Sequence, residues 1–131
     1  MTLFEARPIT VSIARPADQV YDFACQPESF PRWAAGLGGL TRDGGGWIAH
    51  GPDGDVGVRF SPRNSHGVLD HWVTLPDGTE ISIPLRVMAN GDGAEVTLTL
   101  FRLPGMDDAR FERDQGMVAA DLAKLKALLE S

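Results

Sequence analysis

Along most of the chain apolar residues recur at every second position, and only near the C-terminus does their spacing lengthen to three and four. Residues 8–15 alternate, with Ile9, Val11 and Ile13 on one face and Thr10, Ser12 and Ala14 on the other, the period of a half-buried strand. Pro16 ends that strand and, with Asp18 in the next turn, opens a helix whose Val20, Tyr21, Phe23 and Ala24 fall roughly on one side. Gln26-Pro27 breaks this helix. A second short helical turn is predicted over 28–34, limited by Pro31 and carrying Phe30 and Trp33 three residues apart, so that both rings face inward. Between 36 and 57 glycines are dense, and Gly44-Gly45-Gly46 and Pro52-Asp53-Gly54 predict tight turns between short strands. Residues 55–61 put Val56, Val58 and Phe60 on one face, and 67–75 do the same with Leu69, His71, Val73 and Leu75. Pro76-Asp77-Gly78 then turns into 79–89, where Ile81, Ile83, Leu85 and Val87 alternate with Glu80, Ser82, Pro84, Arg86 and Met88. Asn90-Gly91-Asp92-Gly93 leads to Val96, Leu98 and Leu100, which completes an antiparallel meander. The last segment changes period: Phe111, Val118, Leu122, Leu125 and Leu129 form one stripe of a long helix that begins after Pro104-Gly105. Its acidic residues (Asp107, Asp108, Glu112, Asp114) cluster toward the positive N-terminal end, and Lys124 and Lys126 lie toward the negative end.

The strand faces collect into one broad apolar side, with Asp55, Arg59, Asp70, Glu80, Arg86 and Glu95 on the other. Antiparallel sheets commonly keep one dry and one wet face, so the C-terminal helix has to cover the dry one. A helix is about 10–12 Å across, whereas five or more strands about 4.8 Å apart span roughly twice that. Either the sheet curls strongly around the helix or an apolar space remains between them, and such a space is the usual setting of a small-molecule site. Its expected walls are Phe23, Phe30, Trp33, Phe60, His71, Ile83, Leu98 and Val118, with Trp47 joining if its strand register permits. Gly116 interrupts the long helix at about 1 kcal/mol relative to Ala, leaving room for a ligand or for close backbone packing.

Three stretches are more specific. Arg15-Pro16-Ala17-Asp18-Gln19-Val20-Tyr21-Asp22-Phe23, then Gln26-Pro27-Glu28-Ser29-Phe30-Pro31-Arg32-Trp33, and the closing Asp121-Leu122-Ala123-Lys124-Leu125-Lys126 resemble the opening and ending motifs of many bacterial START-like (SRPBCC) proteins. The order of elements is similar to the helix-grip fold of that superfamily, which includes polyketide cyclase/dehydrase-like proteins, and the resemblance covers nearly the whole chain. It implies an α+β single domain over 1–131: a curved antiparallel β-sheet wrapped around a long C-terminal helix, two short helices after strand 1, and an elongated apolar cavity between sheet and helix. The motifs are fold motifs, and the superfamily shares no catalytic signature, so they leave function open.

Composition narrows the partners. The chain has 131 residues, 12 Lys+Arg against 18 Asp+Glu for a formal charge of -6, and no basic run, which argues against nucleic acid and against attraction to an anionic membrane surface. No apolar stretch is long enough to span a bilayer, so no integral membrane association is expected. The single Cys25 and the absence of an export signal at the N-terminus point to the cytoplasm. No cofactor is expected: the glycine clusters lack the G-x-G-x-x-G spacing, and there is no G-x-S-x-G nucleophile motif. Nor is a metal, because His66 and His71 would point to opposite faces of one strand and the predicted inner face offers no Asp or Glu to join His71.

His71 is the one titratable residue that strand parity places on the apolar face. It reads equally as a group that orients a ligand or as a buried neutral histidine satisfied by a neighbour. Three functions follow. The first is binding of a hydrophobic small molecule, such as a lipid, a quinone or an aromatic polyketide-like compound. The second is a cyclase, dehydrase or lyase with His71 as acid-base group. The third is an interaction module, for example a homodimer meeting through Trp72 and Met88, which interrupt the wet face.

Overall fold

A computed structural model describes residues 2–35, 39–51 and 54–131. In chain order the elements are β1 (Ala6–Ile13), α1 (Ala17–Ala24), a 3-10 turn (Pro27–Ser29), α2 (Phe30–Trp33), β2 (Leu40–Asp43), β3 (Gly46–Gly51), β4 (Gly54–Phe60), β5 (His71–Thr74), β6 (Glu80–Ile83), β7 (Leu85–Asn90), β8 (Gly93–Phe101) and α3 (Asp108–Glu130). Every strand pair is antiparallel, in a five-stranded sheet of order β2-β3-β4-β5-β6 and a three-stranded sheet of order β1-β8-β7. The architecture is the expected α+β arrangement with a long C-terminal helix. The turns expected around Gly36-Leu37-Gly38-Gly39 and Pro52-Asp53-Gly54 lie partly outside the described residues.

Two predicted strands are shorter than their alternation suggests, and both breaks have a physical cause. The run 79–89 divides at Pro84, which has no N–H to continue the ladder. Before it, Ser82 pairs with Trp72 of β5; after it, Leu85 pairs with Leu98 of β8. The run 67–75 is strand only from His71, because 67–69 swing across to β7: the Leu69 N–H donates to the Leu85 carbonyl (2.8 Å) and the Val87 N–H to the Gly67 carbonyl (2.9 Å). Asp70 fixes this crossing. Its carboxylate accepts from the Leu85 N–H (2.9 Å) and takes two bonds from the Arg86 guanidinium (3.0 and 2.8 Å). Gly67 sits in the left-handed region (φ +72°), and a Cβ there would lie 2.0 Å from the Val87 carbonyl oxygen, so only glycine fits.

The long helix starts where its cap dictates: Asp107 accepts from the Arg110 N–H (2.8 Å). Its stripe then buries Phe111, Leu122 and Leu125, with Val118 and Leu129 partly covered. The helix packs chiefly on β1 and less on α2 and β8, and α1 packs on β7 and β8. Packing is therefore tight over the three-stranded sheet, where Ile13, Leu85 and Val96 are fully buried. The inner face of β4 to β6 is left to α2, whose short length covers only part of it.

Candidate functional site

The uncovered region is a cavity of about 290 Å³. It lies before Pro84, where β6 follows β5 and leaves β8, which is joined only by β7 after Pro84, so the sheet floor is split between Val56, Val73, Ile81 and Ile83 on one side and Leu98, Leu100 and Phe101 on the other. Phe30, Trp33 and Ala34 close one end, Leu103 and Met106 border it beyond β8, and α3 contributes Asp114, Met117, Val118, Asp121 and Leu122. Met117 is 42 % exposed, which marks the helix side as the open one.

Six of the eight expected wall residues line this space: Phe30, Trp33, His71, Ile83, Leu98 and Val118. Phe23 and Phe60 do not. Phe60 stands behind the wall, its ring 4.8 Å from that of Phe30 and 5.8 Å from that of His71, and so supports both. Phe23 is partly exposed and carries the Arg32 guanidinium 5.3 Å from its ring centre. Trp47 is likewise outside the lining, under Arg42. Strand parity assigned Phe60 to the inner side, helical spacing put Phe23 on the apolar side of α1, Trp47 was left to its register, and none of these says how far from the gap a residue falls.

His71 is 4 % exposed. Its Nδ1 lies 3.2 Å from the Leu69 carbonyl two residues back, an acceptor only, so Nδ1 carries the proton and donates. Burial holds its pKa below the usual 6.5, against smaller upward pulls from that bond and from the Asp70 charge. A neutral ring with Nδ1–H leaves Nε2 as an acceptor, and it has no partner among the described residues. Phe30 meets the ring edge-on at 5.5 Å. The indole Nε1 of Trp33, a residue of the wall, is buried and has no hydrogen-bond partner among the described residues.

The expectation that no Asp or Glu would share the inner face with His71 is corrected by α3. Asp114 and Asp121 both line the cavity. Asp121 accepts from the Ala35 N–H (3.2 Å), and its pKa is raised mainly by burial, against smaller opposing effects of that bond and of Lys124. The Asp114 side chain is 25 % exposed, with Arg110 3.9 Å away. Both were legible: 114 and 121 fall three residues after Phe111 and Val118, on the helical stripe, but a stripe traced through apolar residues alone passes over acids that sit on it.

The remaining chemistry lies elsewhere. His50 is exposed on β3, bonded to Asp55 and Thr41 (both 2.8 Å). His66 sits in the loop before β5 and is exposed. Cys25 is half-buried against Arg63 (3.2 Å), and burial raises its thiol pKa. Among the described residues no three metal-ligating side chains converge, and no helix is long and apolar enough to cross a membrane.

No protein-family profile matches the sequence, and no curated protein matches it either. Solved structures do. An uncharacterised protein from Bacillus thuringiensis superposes with a TM-score of 0.77 at 14 % identity, covering 97 % of this chain and 100 % of that one. DynU16, a protein of the dynemicin biosynthetic locus, superposes with a TM-score of 0.74 at 16 % identity over 96 % of this chain, which spans 47 % of DynU16. Ara h 8.0201 gives 0.68 at 10 % identity, covering 98 % and 100 %. At these identities the likeness establishes the fold, of helix-grip type, and nothing finer.

Proposed function

We propose that this protein binds one compact apolar small molecule, of lipid, quinone or aromatic polyketide-like character, in the cavity between the split sheet and α3. The observation that carries this reading is a space of about 290 Å³, near the lower end of ligand sites, walled almost wholly by aliphatic and aromatic side chains with a few separated polar atoms. Binding is favoured over acid-base turnover because the His71 Nδ1 is held by a backbone carbonyl and not by a carboxylate.

The test uses N-phenyl-1-naphthylamine, an uncharged dye that fluoresces in apolar surroundings. Its emission should rise and saturate at one dye per chain, and melting should shift upward as the dye exceeds its dissociation constant, by about 2.7 kcal/mol at a hundredfold excess. Emission that never saturates, together with an unchanged melting temperature across a panel of apolar compounds, would refute the reading.

A further inference from the structure

Charge is distributed unevenly around the cavity. Two carboxylates, Asp114 and Asp121, line it from α3, and no Lys or Arg is part of its wall. The neighbouring cations lie outside: Arg110 stands 3.9 Å from Asp114, and Lys124 acts on Asp121 from the same helix. Asp121 is partly withdrawn from water with a single backbone donor, the Ala35 N–H, so most of its acceptor capacity is unused. That bond brings the carboxylate to the end of the cavity where Trp33 lies, two residues before Ala35. Trp33, which closes this end, is 3 % exposed. His71 adds an acceptor and no positive charge.

Resting on the binding reading above, we infer that the guest carries a basic nitrogen: an apolar body with a cationic amine that faces the α3 acids Asp114 and Asp121 and can donate to the open Nε2 of His71. An anionic head is excluded by the same wall. A carboxylate entering here would meet two like charges and no Lys or Arg of the wall itself, and a like charge in a partly dry site is more costly than in open water. Fatty-acid anions are therefore the wrong class, even though the aliphatic walls suit their tails.

The experiment varies only the head group. 2-Naphthylmethylamine, 2-naphthylmethanol and 2-naphthoate compete against N-phenyl-1-naphthylamine at neutral pH and 0.15 M salt, where the surface field of the acidic chain is screened beyond about 8 Å. The amine should bind at least about tenfold more tightly than the carboxylate, with the alcohol between them. In the doubly substituted Asp114→Asn, Asp121→Asn protein, where Asn can still accept from Ala35, that ratio should collapse toward unity. Equal affinities for all three heads, or a preference for the carboxylate, would overturn the inference while leaving apolar binding intact. Failure of the dye itself to bind would remove both. Should the double variant not fold, the three-way comparison on the unaltered protein still decides.

Discussion

If the space beneath α3 is a void and not a loosely drawn core, adding carbon to its wall must stabilise the protein. Ala34 is the sharpest place to ask, since it is 8 % exposed and lines the cavity at the end of α2. Ala34→Leu adds three carbons. At about 0.8 kcal/mol per buried methylene the transfer gain is about 2.4 kcal/mol. Freezing the leucine rotamers returns about 0.5–1 kcal/mol, which leaves a net gain of about 1.5 kcal/mol. For a chain of 131 residues this corresponds to a rise in melting temperature of about 5 °C. In a filled core the same change would be overpacking and would cost about 1–3 kcal/mol. The two cases thus differ in sign. Urea denaturation measures it directly: the midpoint should rise with an unchanged m-value, and the affinity for N-phenyl-1-naphthylamine should fall, because guest and side chain compete for one volume. Val73→Ile, which adds one methylene from the floor, should move both readouts the same way by about 0.8 kcal/mol or less. Destabilisation by both variants would refute the cavity and every functional argument built on it.

Two further outcomes follow from the frame of the site. His71 is held below 6.5 in the folded chain by burial, so the unfolded state binds the extra proton first; stability is complete above about pH 6.5 and declines as pH falls toward the folded value, by up to about 1.36 kcal/mol per pH unit. Asp121, raised above its ordinary 3.8, contributes with the opposite sign and in a lower window. His71→Asn, whose amide can still donate to Leu69, should flatten the slope between pH 7 and 5.5, and parallel curves for the two proteins would contradict a buried neutral imidazole. Gly67→Ala should cost at least about 3 kcal/mol, because left-handed strain adds to a 2.0 Å approach to the Val87 carbonyl; a change in urea midpoint under a third of that would mean the crossing at 67–69 is not fixed.

Most of the fold was legible because periodicity reports it directly. Alternation at Ile9, Val11 and Ile13, at Val56 and Val58, and at Val96 and Leu98 marks the inward faces, and the change to steps of three and four after Phe111 marks α3. Pro84 was readable as a residue of an alternating run but not as the point where one strand serves two sheets, since that depends on which neighbour each half meets. Gly67 and Asp70 share that property: their roles come from β7, about twenty residues later in the chain. For the site, strand parity placed Ile83 and Leu98 on the correct side and the three-residue spacing did the same for Phe30 and Trp33, while the exclusion of Phe23 and Phe60 from the wall is a matter of distance from the gap, on which periodicity is silent. The acids of α3 were lost for another reason. A stripe defined by its apolar members is blind to a carboxylate at a stripe position, although such a residue is the one that distinguishes a lined cavity from a packed seam.

The location of unmatched polar atoms separates a site from a packing defect. Two polar residues are fully buried in the described chain, Ser29 and His71. Ser29 belongs to the packed part, and its Oγ lies 2.7 Å from the Phe23 carbonyl and 2.8 Å from the Gln26 carbonyl, so its needs are met locally. His71 borders the cavity and is satisfied at Nδ1 only. Trp33, also on the cavity, has a buried indole nitrogen with no partner among the described residues. Random loosening of a core would leave orphaned polar groups wherever the chain happened to be slack, and each would cost about 1–3 kcal/mol. Among the described residues the orphaned buried atom, the Trp33 indole nitrogen, belongs to a residue that borders the cavity, and the packed region has none.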